Sequence, residues 1–488
     1  MPSNADPIVQ QIQGDFHALI AYLTGPEAQT QSAYTVELTL FRRLLAIGAA
    51  LLRLFFVTQA AHRPPTPATV DGVVWSYYDQ RSISYYSVFG KLRVARHYFT
   101  APGQAGCCPL DAALSLPDHC YSDLLSDWAS YGSTDAAYRE NQAALERILG
   151  LSLSVQALET LTATAAADVS AFYQQPPDPT TPIPLGSILV VQADGKGVPM
   201  VQPPPETPPL RLGKGQKRTK KKEAIVTTLY SIAPYIRTAQ DVVAALLHEE
   251  RRADHPTRPT PLRKEGRATL NGKTAACASL QERAAQRDHG SITARVALTD
   301  GAESLQQQML AHFPAHTLIL DIIHASEYLW ETATALWGET SGWRTPWVRT
   351  KLEQLLTGQT AAVITALELD AIDPTRTDGQ RSALNRTIGY YGRNLAYMRY
   401  DMYLAQGWPI GTGVVEGACA HLVKDRMEQA GMRWTLSGAQ VVLDLRAVRL
   451  NGDWEAYWQF HRAQQHHRLY GTAATAVIPE AQVLQMAA

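Results

Sequence analysis

The sequence predicts an α/β protein preceded by a mainly helical N-terminal region, and three observations carry that expectation. Apolar runs of strand length alternate with stretches of helical spacing. Two of the runs close on Asp-Gly: Ser187-Ile-Leu-Val-Val-Gln-Ala-Asp194-Gly195 and Ala294-Arg-Val-Ala-Leu-Thr-Asp300-Gly301. A Pro-rich segment, Gln174 to Pro184, separates them from what comes before and can be neither helix nor central strand.

The N-terminal region opens with helical spacing at Phe16, Leu19, Ile20 and Leu23, then from Leu38 to Val57. Its most apolar part, Leu44 to Val57, carries Arg53 and is too short to span a bilayer, so a buried helix is expected. Tyr85 to Phe99 is aromatic and β-branched around Phe89-Gly90-Lys91, as in a β-hairpin. Tyr121 to Tyr173 is helical again. Gly150 stops one helix, and Ser152 or Ser154 caps the next, a helix-turn-helix-like arrangement that an ordinary helical pair would match equally well.

Beyond the linker, the expected order is a strand ending at Asp194, a loop, and a return strand from Glu223 to Ile236. Residues 249–290 are polar and Arg-containing and give no assignable pattern. Strand signals return at Arg295–Thr299 and Thr317–Ile323. A Trp- and Tyr-rich helical stretch runs from Trp330 to Gly407, long helices span Val414 to Val448, and an amphipathic tail follows Gly452. The expected domains are 1–173 (helical, with hairpin), 174–185 (linker), 186–330 (core, first part), 331–407 (helical insertion), 408–450 (final core helices) and 451–488 (tail).

The 488 residues and a 45% hydrophobic share allow two or three cored domains. With 44 basic against 45 acidic residues, net charge does not mark a nucleic-acid binder. Local charge does: Arg211-Leu-Gly-Lys-Gly-Gln-Lys-Arg-Thr-Lys-Lys-Lys222 holds no acid, and Lys214, Lys217, Arg218, Lys220, Lys221 and Lys222 suit phosphate-backbone contact. Five sparse cysteines and no secretion signal point to a cytoplasmic, nucleoid-associated protein without a membrane partner. Cys107, Cys108 and Cys120, near His97 and His119, lack a Cys-x-x-Cys pair, which argues against structural zinc.

Asp194, Asp300 and Glu416 stand where phosphoryl-transfer chemistry would need them. A carboxylate at the end of a buried strand is rigidly held, and several can converge on hard cations that keep part of their water shell. Gly195 and Gly301 would let the chain turn sharply and give substrate close access. Each Asp-Gly taken alone is also a common turn dipeptide. Asp321 ends a further apolar run and competes with Asp300 for the same role.

The order of these elements resembles the DDE transposases of the Mutator-like branch, specifically the ISKra-type insertion-sequence transposases. The motifs that carry the resemblance are Ala193-Asp194-Gly-Lys-Gly-Val-Pro199, Leu298-Thr-Asp300-Gly-Ala-Glu-Ser-Leu305, Asp321-Ile-Ile-His324 and Pro409-Ile-Gly-Thr-Gly-Val-Val-Glu416. Arg426-Met427, Gly431-Met-Arg-Trp434 and Leu445 to Trp454 extend it, so that it covers about residues 73–462.

The resemblance implies an RNase H-like mixed sheet flanked by helices, interrupted by an all-helical insertion and preceded by a DNA-binding domain. It implies Asp194, Asp300 and Glu416 as catalytic ligands of two Mg²⁺ or Mn²⁺ ions, with Asp321 and His324 in support. It further implies double-stranded DNA partners (terminal inverted repeats and target) and a homo-oligomer on paired ends.

Regular helix spacing places Lys424 roughly with Glu416, where it would hold a phosphate. Arg426 would join it on DNA, and Arg433 and Trp434 would grip or stack on a terminal base, although Trp434 taken alone reads more readily as a core tryptophan beside a surface arginine. Three other activities compete: a nuclease on the same fold that cuts without joining, an inactive sequence-specific DNA-binding protein, and a two-carboxylate glycosidase, which the Lys-rich loop makes a poor fit.

Overall fold

A computed structural model describes residues 5–62, 68–70, 73–176, 182–202, 221–249 and 257–471. The chain forms two compact units. One comprises residues 1–168 with 455–488, and the other comprises 169–454.

In the first unit, a helix over Asp6–Thr24 packs on a longer helix over Ala33–Ala61. Three antiparallel strands follow: β1 (Ala68–Val70), β2 (Val73–Ser87) and β3 (Gly90–Thr100). The hairpin forms where the aromatic run predicts it. Ser87 pairs with Gly90, whose φ of +124° a side chain would resist.

Gly150, at φ +69°, stops the Tyr138–Leu149 helix, and the Ser154 hydroxyl accepts from Ala157 N to start Val155–Ala165. Leu125, Leu145, Leu151, Leu158 and Leu161 close this helical core. The segment after Gly452 is a helix, Trp454–Tyr470, and from Glu455 on it belongs to this unit. Its buried His461 meets Asp168 at 2.6 Å, and Tyr457 donates to the Ala165 carbonyl.

One expectation here fails. Leu44 to Val57 lies within the Ala33–Ala61 helix, of which only Ile47 and Phe56 are buried. Residues inside a 29-residue amphipathic helix read as core from hydrophobicity alone, yet one face of this helix is open.

The second unit is built on a mixed five-stranded sheet in the order β6-β5-β4-β7-β8, flanked by helices. The strands are β4 (Ser187–Pro199), β5 (Lys221–Ile232), β6 (Leu262–Thr269), β7 (Ile292–Thr299) and β8 (Thr317–Leu320). β5 runs antiparallel to both its neighbours, β6 and β4, while β4, β7 and β8 are parallel.

Period-two alternation sends Ile188, Val190, Val296, Leu298 and Ile319 into one core, and Leu189, Val191, Ala297 and Leu318 into the other. β4 is apolar on both faces because helices cover both. The Lys273–Arg287 helix lies on one side. The Ile322–Trp337 helix and those of 344–405 lie on the other and share its core through Leu352, Leu384, Tyr391 and Tyr400. The stretch expected as a helical insertion is thus continuous with the sheet's packing.

β6 and the Lys273–Arg287 helix occupy the stretch that sequence left unassigned. Their contact is ionic: buried Glu265 pairs with Arg283 and Arg287, and this neutralises an acid that would otherwise bar the segment from a core. The Pro203–Pro209 piece and residues 211–220 of the basic loop lie outside the described residues, as does 177–181 of the linker.

Candidate metal centre

The sheet register aligns three acids. Gln192 pairs with Leu298, and Leu298 pairs with Ile319. Two residues further along each chain stand Asp194, Asp300 and Asp321. This places all three at the same end of neighbouring strands, which lie about 4.8 Å apart. Asp300 and Asp321 directly follow their strands. Asp194 does not end its strand, because β4 runs on to Pro199, paired with Lys221. Gly195 is therefore extended rather than turning, and a Cβ there would lie 2.4 Å from Glu223 Oε1. Gly301 does turn, at φ +87°, and a Cβ there would meet the Tyr390 hydroxyl at 2.8 Å.

Asp321 is fully buried and saturated with donors. Its carboxylate caps the Ile322–Trp337 helix through Ile323 N and His324 N, and accepts from His324 Nδ1 at 2.7 Å. It also accepts from Thr412 N at 3.2 Å and Thr412 Oγ1 at 2.7 Å. Five donors use the lone pairs of one carboxylate. Asp321 therefore acts chiefly as a clasp that fixes the Gly411–Thr412 turn.

Buried Gln192 is a second clasp. Its amide donates to Gly411 O at 3.3 Å and accepts from Val415 N at 3.0 Å, with Tyr230 and Thr228 completing its bonding. The short Gly413–Ala418 helix is thereby pinned to β4 at the residue before Glu416.

Asp321, His324 and Glu416 bring ligand atoms within 4.8 Å of one another. Asp194 and Asp300 are not in that group, although they reach it indirectly. Cys419, one turn after Glu416, donates its thiol to Asp194 Oδ2 at 3.3 Å. Burial, then the Asp194 charge, raises the Cys419 thiol pKa and keeps it a donor. Tyr390 stacks on Tyr328 at 3.9 Å and donates to the Asp300 carbonyl, and Asp300 Oδ1 accepts from Ala302 N.

The Asp321 hydrogen bond, working against burial, raises the His324 pKa to about 9, with the Glu327 and Asp300 charges adding to it. At neutral pH the imidazolium partly balances the charge of Asp321 and of nearby Glu327 and Asp300.

A hard cation fits this donor set. The Thr412 hydroxyl has one proton yet lies 2.7 Å from Asp321 Oδ2 and 2.8 Å from Glu416 Oε1. It can satisfy only one at a time, so a positive charge shared by the carboxylates relieves the other contact.

The expected DNA-contact residues separate into three groups. Lys214, Lys217, Arg218 and Lys220 lie outside the described residues. Lys221, Lys222, Lys424 and Arg433 are exposed, with Lys221 paired to Glu428. Arg426 and Trp434 are buried, which corrects the expectation of a phosphate grip and a base stack there. The Arg426 guanidinium sits 4.9 Å over the Trp434 ring. The Trp434 indole donates to Met427 O, and its backbone bridges Pro199 and Val201 at the end of β4.

The helix expected through Lys424 is also interrupted. Cys419–Lys424 is a π turn, so 3.6-residue spacing no longer relates Lys424 to Glu416. Gln192, Thr412, Cys419 and Tyr390 were not singled out by sequence. For Gln192 the available signal was a polar residue inside an otherwise apolar strand.

A scan against protein-family models finds no match, and a search of curated proteins finds no significant similarity.

Proposed function

We propose that the chain is a DDE-type DNA transposase, which cleaves the ends of a mobile element and joins the freed 3′-hydroxyls to target DNA. The observation that carries this is the gathering of Asp194 in β4 with Asp300 and Asp321 just past the ends of β7 and β8, with the Glu416 helix clasped beside them by Gln192 and Asp321. The mixed five-stranded sheet flanked by helices supports the RNase H-like core that the resemblance implies. The motifs that carry the resemblance fall on the elements forming the centre.

Asp194, Asp300 and Glu416 would hold two Mg²⁺ or Mn²⁺ ions. Held there, such ions would supply Lewis-acid activation of a water or 3′-hydroxyl and charge stabilisation for the departing oxygen. The protein's own residues do the positioning. Asp321 and Gln192 fix Glu416, Tyr390 and the Gly301 turn fix Asp300, and Cys419 orients Asp194. The cationic His324, beside Asp321 and Glu416, would offset charge on a scissile phosphate. Exposed Lys222, Lys424 and Arg433 offer backbone contacts.

The test uses labelled duplexes carrying the sequences that flank the gene, incubated with Mg²⁺ and supercoiled target. Both cleavage and strand transfer are expected. Cleavage without joining would assign a nuclease, and binding with no metal-dependent nicking would assign an inactive DNA-binding protein.

A further inference from the structure

The end of the β2–β3 ribbon away from its turn helps to enclose a cleft of about 920 Å³ that lies wholly within the first unit. Aromatic side chains from separate segments line it: Trp75 from β2, Tyr98 and Phe99 from β3, and Tyr470 from the Trp454–Tyr470 helix. The ribbon's register shifts between Tyr77 and Asp79, a bulge of the kind that re-aims side chains beside a site. Opposite β3, the backbone N and O of Phe99 both bond to Cys107, which fixes the Gly106–Cys108 segment as a wall. Gly106 has to lack a side chain, because a Cβ there would run into the Tyr98 hydroxyl.

The wall is mostly apolar, and the charges on it do not cancel. Arg96 and Asp111 form an ion pair with each other and are largely withdrawn from solvent. Arg81 is left as the excess cation. Its partner Asp79, at 3.2 Å, is not on the wall, and solvent screens that exposed pair. Burial raises the Cys107 and Cys108 thiols above their ordinary pKa and lifts Tyr470 to about 12, so none of the three adds negative charge at neutral pH. His97, which meets the Tyr77 ring edge-on, is either neutral or positive.

The Arg81 guanidinium lies 3.3 Å from the Tyr98 ring centroid, a stacking separation. With 45% of its side chain exposed, it sets a flat cationic surface, backed by an aromatic ring, at an apolar hollow.

We propose that this cleft binds a small planar aromatic anion, with its ring among Trp75, Phe99 and Tyr470 and its carboxylate or phosphate on Arg81 in exchange for Asp79. Sites for small molecules have this volume and this mixture of apolar wall and few polar groups. An uncharged ring would leave Arg81 without a counter-charge as water is expelled, and a cation would meet like charge. The proposal rests neither on the metal centre nor on the transposase reading, and its test contains no DNA.

The full chain should bind one molecule of 8-anilinonaphthalene-1-sulfonate, followed by dye fluorescence. N-phenyl-1-naphthylamine, the same ring system without the sulfonate, should bind at least tenfold more weakly. Arg81→Ala should weaken the sulfonate at least tenfold and leave the uncharged dye unchanged, with the same far-UV circular dichroism as wild type. Saturating sulfonate dye should slow N-ethylmaleimide labelling of the exposed Cys107 at least fivefold in wild type, a readout that stands if the Arg81 variant misfolds. Indole-3-acetate or adenosine monophosphate should displace the dye, the first marking a carboxylate ligand and the second a phosphate.

The absence of a saturable site, equal affinity for the two dyes, or sulfonate binding untouched by Arg81→Ala would each overturn the proposal. So would a Cys107 that labels equally fast with dye bound, or a dye that neither acid displaces.

Discussion

Thr412 Oγ1 lies 2.7 Å from Asp321 Oδ2 and 2.8 Å from Glu416 Oε1, so a single hydroxyl couples the buried clasp to the acid on the neighbouring helix. Thr412→Val keeps the shape and removes that coupling. It leaves Asp321 with one donor fewer, at a cost of about 1–3 kcal/mol in stability. Metal-dependent cleavage should fall further than that loss explains, because Glu416 is freed to rotate. Parallel denaturation and cleavage assays check this, and loss of activity only in proportion to unfolding would remove Thr412 from the positioning role.

Gln192 should behave as the second half of the same clasp. Gln192→Leu strips partners from Val415 N and Gly411 O in a dry setting and should cost about 2 kcal/mol or more. Because Gln192 and Asp321 hold one turn from two strands, Gln192→Leu and Thr412→Val should be non-additive, with a coupling of about 0.5–3 kcal/mol in a double-mutant cycle. Strict additivity would mean that the two bonds act separately.

These two residues mark the limit of what could be read from sequence. The apolar runs of β4, β7 and β8 were legible because buried parallel strands are hydrophobic on both faces, and Gly301 was legible because its turn requires positive φ. Gln192 was not, since its partners lie 219 and 223 residues away and no local pattern encodes them. β6 was hidden because charge pairing, rather than apolar periodicity, buries Glu265. Arg426 looks like a surface cation in sequence, yet it lies buried over the ring of Trp434, for which a core position is the alternative reading. The π turn at Cys419–Lys424 defeats any projection that assumes regular winding.

The pH dependence of stability should report His324. Its pKa rises from the ordinary 6.5 to about 9 in the folded chain, so the native state holds a proton that the unfolded chain releases between those values. The stabilisation is complete below pH 6.5 and is lost as pH climbs through 9. In metal-free buffer, urea midpoints should fall across that window, and His324→Asn should flatten the slope. Identical slopes in the two proteins would show that His324 is not held as a cation.

Thiol chemistry should separate the cysteines. Cys107 is exposed, while burial pushes Cys277 up to about 11 and raises Cys419 as well. At pH 8, a maleimide should label Cys107 in the native protein and leave Cys419 and Cys277 unmodified until denaturant is added. Rapid native labelling of Cys419 would break its assigned contact with Asp194.

Arg426→Ala and Lys222→Ala should fail differently. Arg426 is buried on Trp434, so its loss should destabilise by about 2–4 kcal/mol. Lys222 and Arg433 are exposed, and replacing either should leave stability within about 0.5 kcal/mol while lowering the salt dependence of DNA binding by about one counterion. A stable Arg426→Ala with a reduced salt slope would return Arg426 to the DNA face.

The most direct measurement is anomalous diffraction from crystals of the protein soaked in Mn²⁺. Manganese peaks are expected within coordinating reach of Glu416, Asp194 and Asp300, with Asp321 still bonded to Thr412. A lone ion on Asp321, His324 and Glu416 that leaves both other aspartates untouched, or no peak at saturating Mn²⁺, would contradict that expectation.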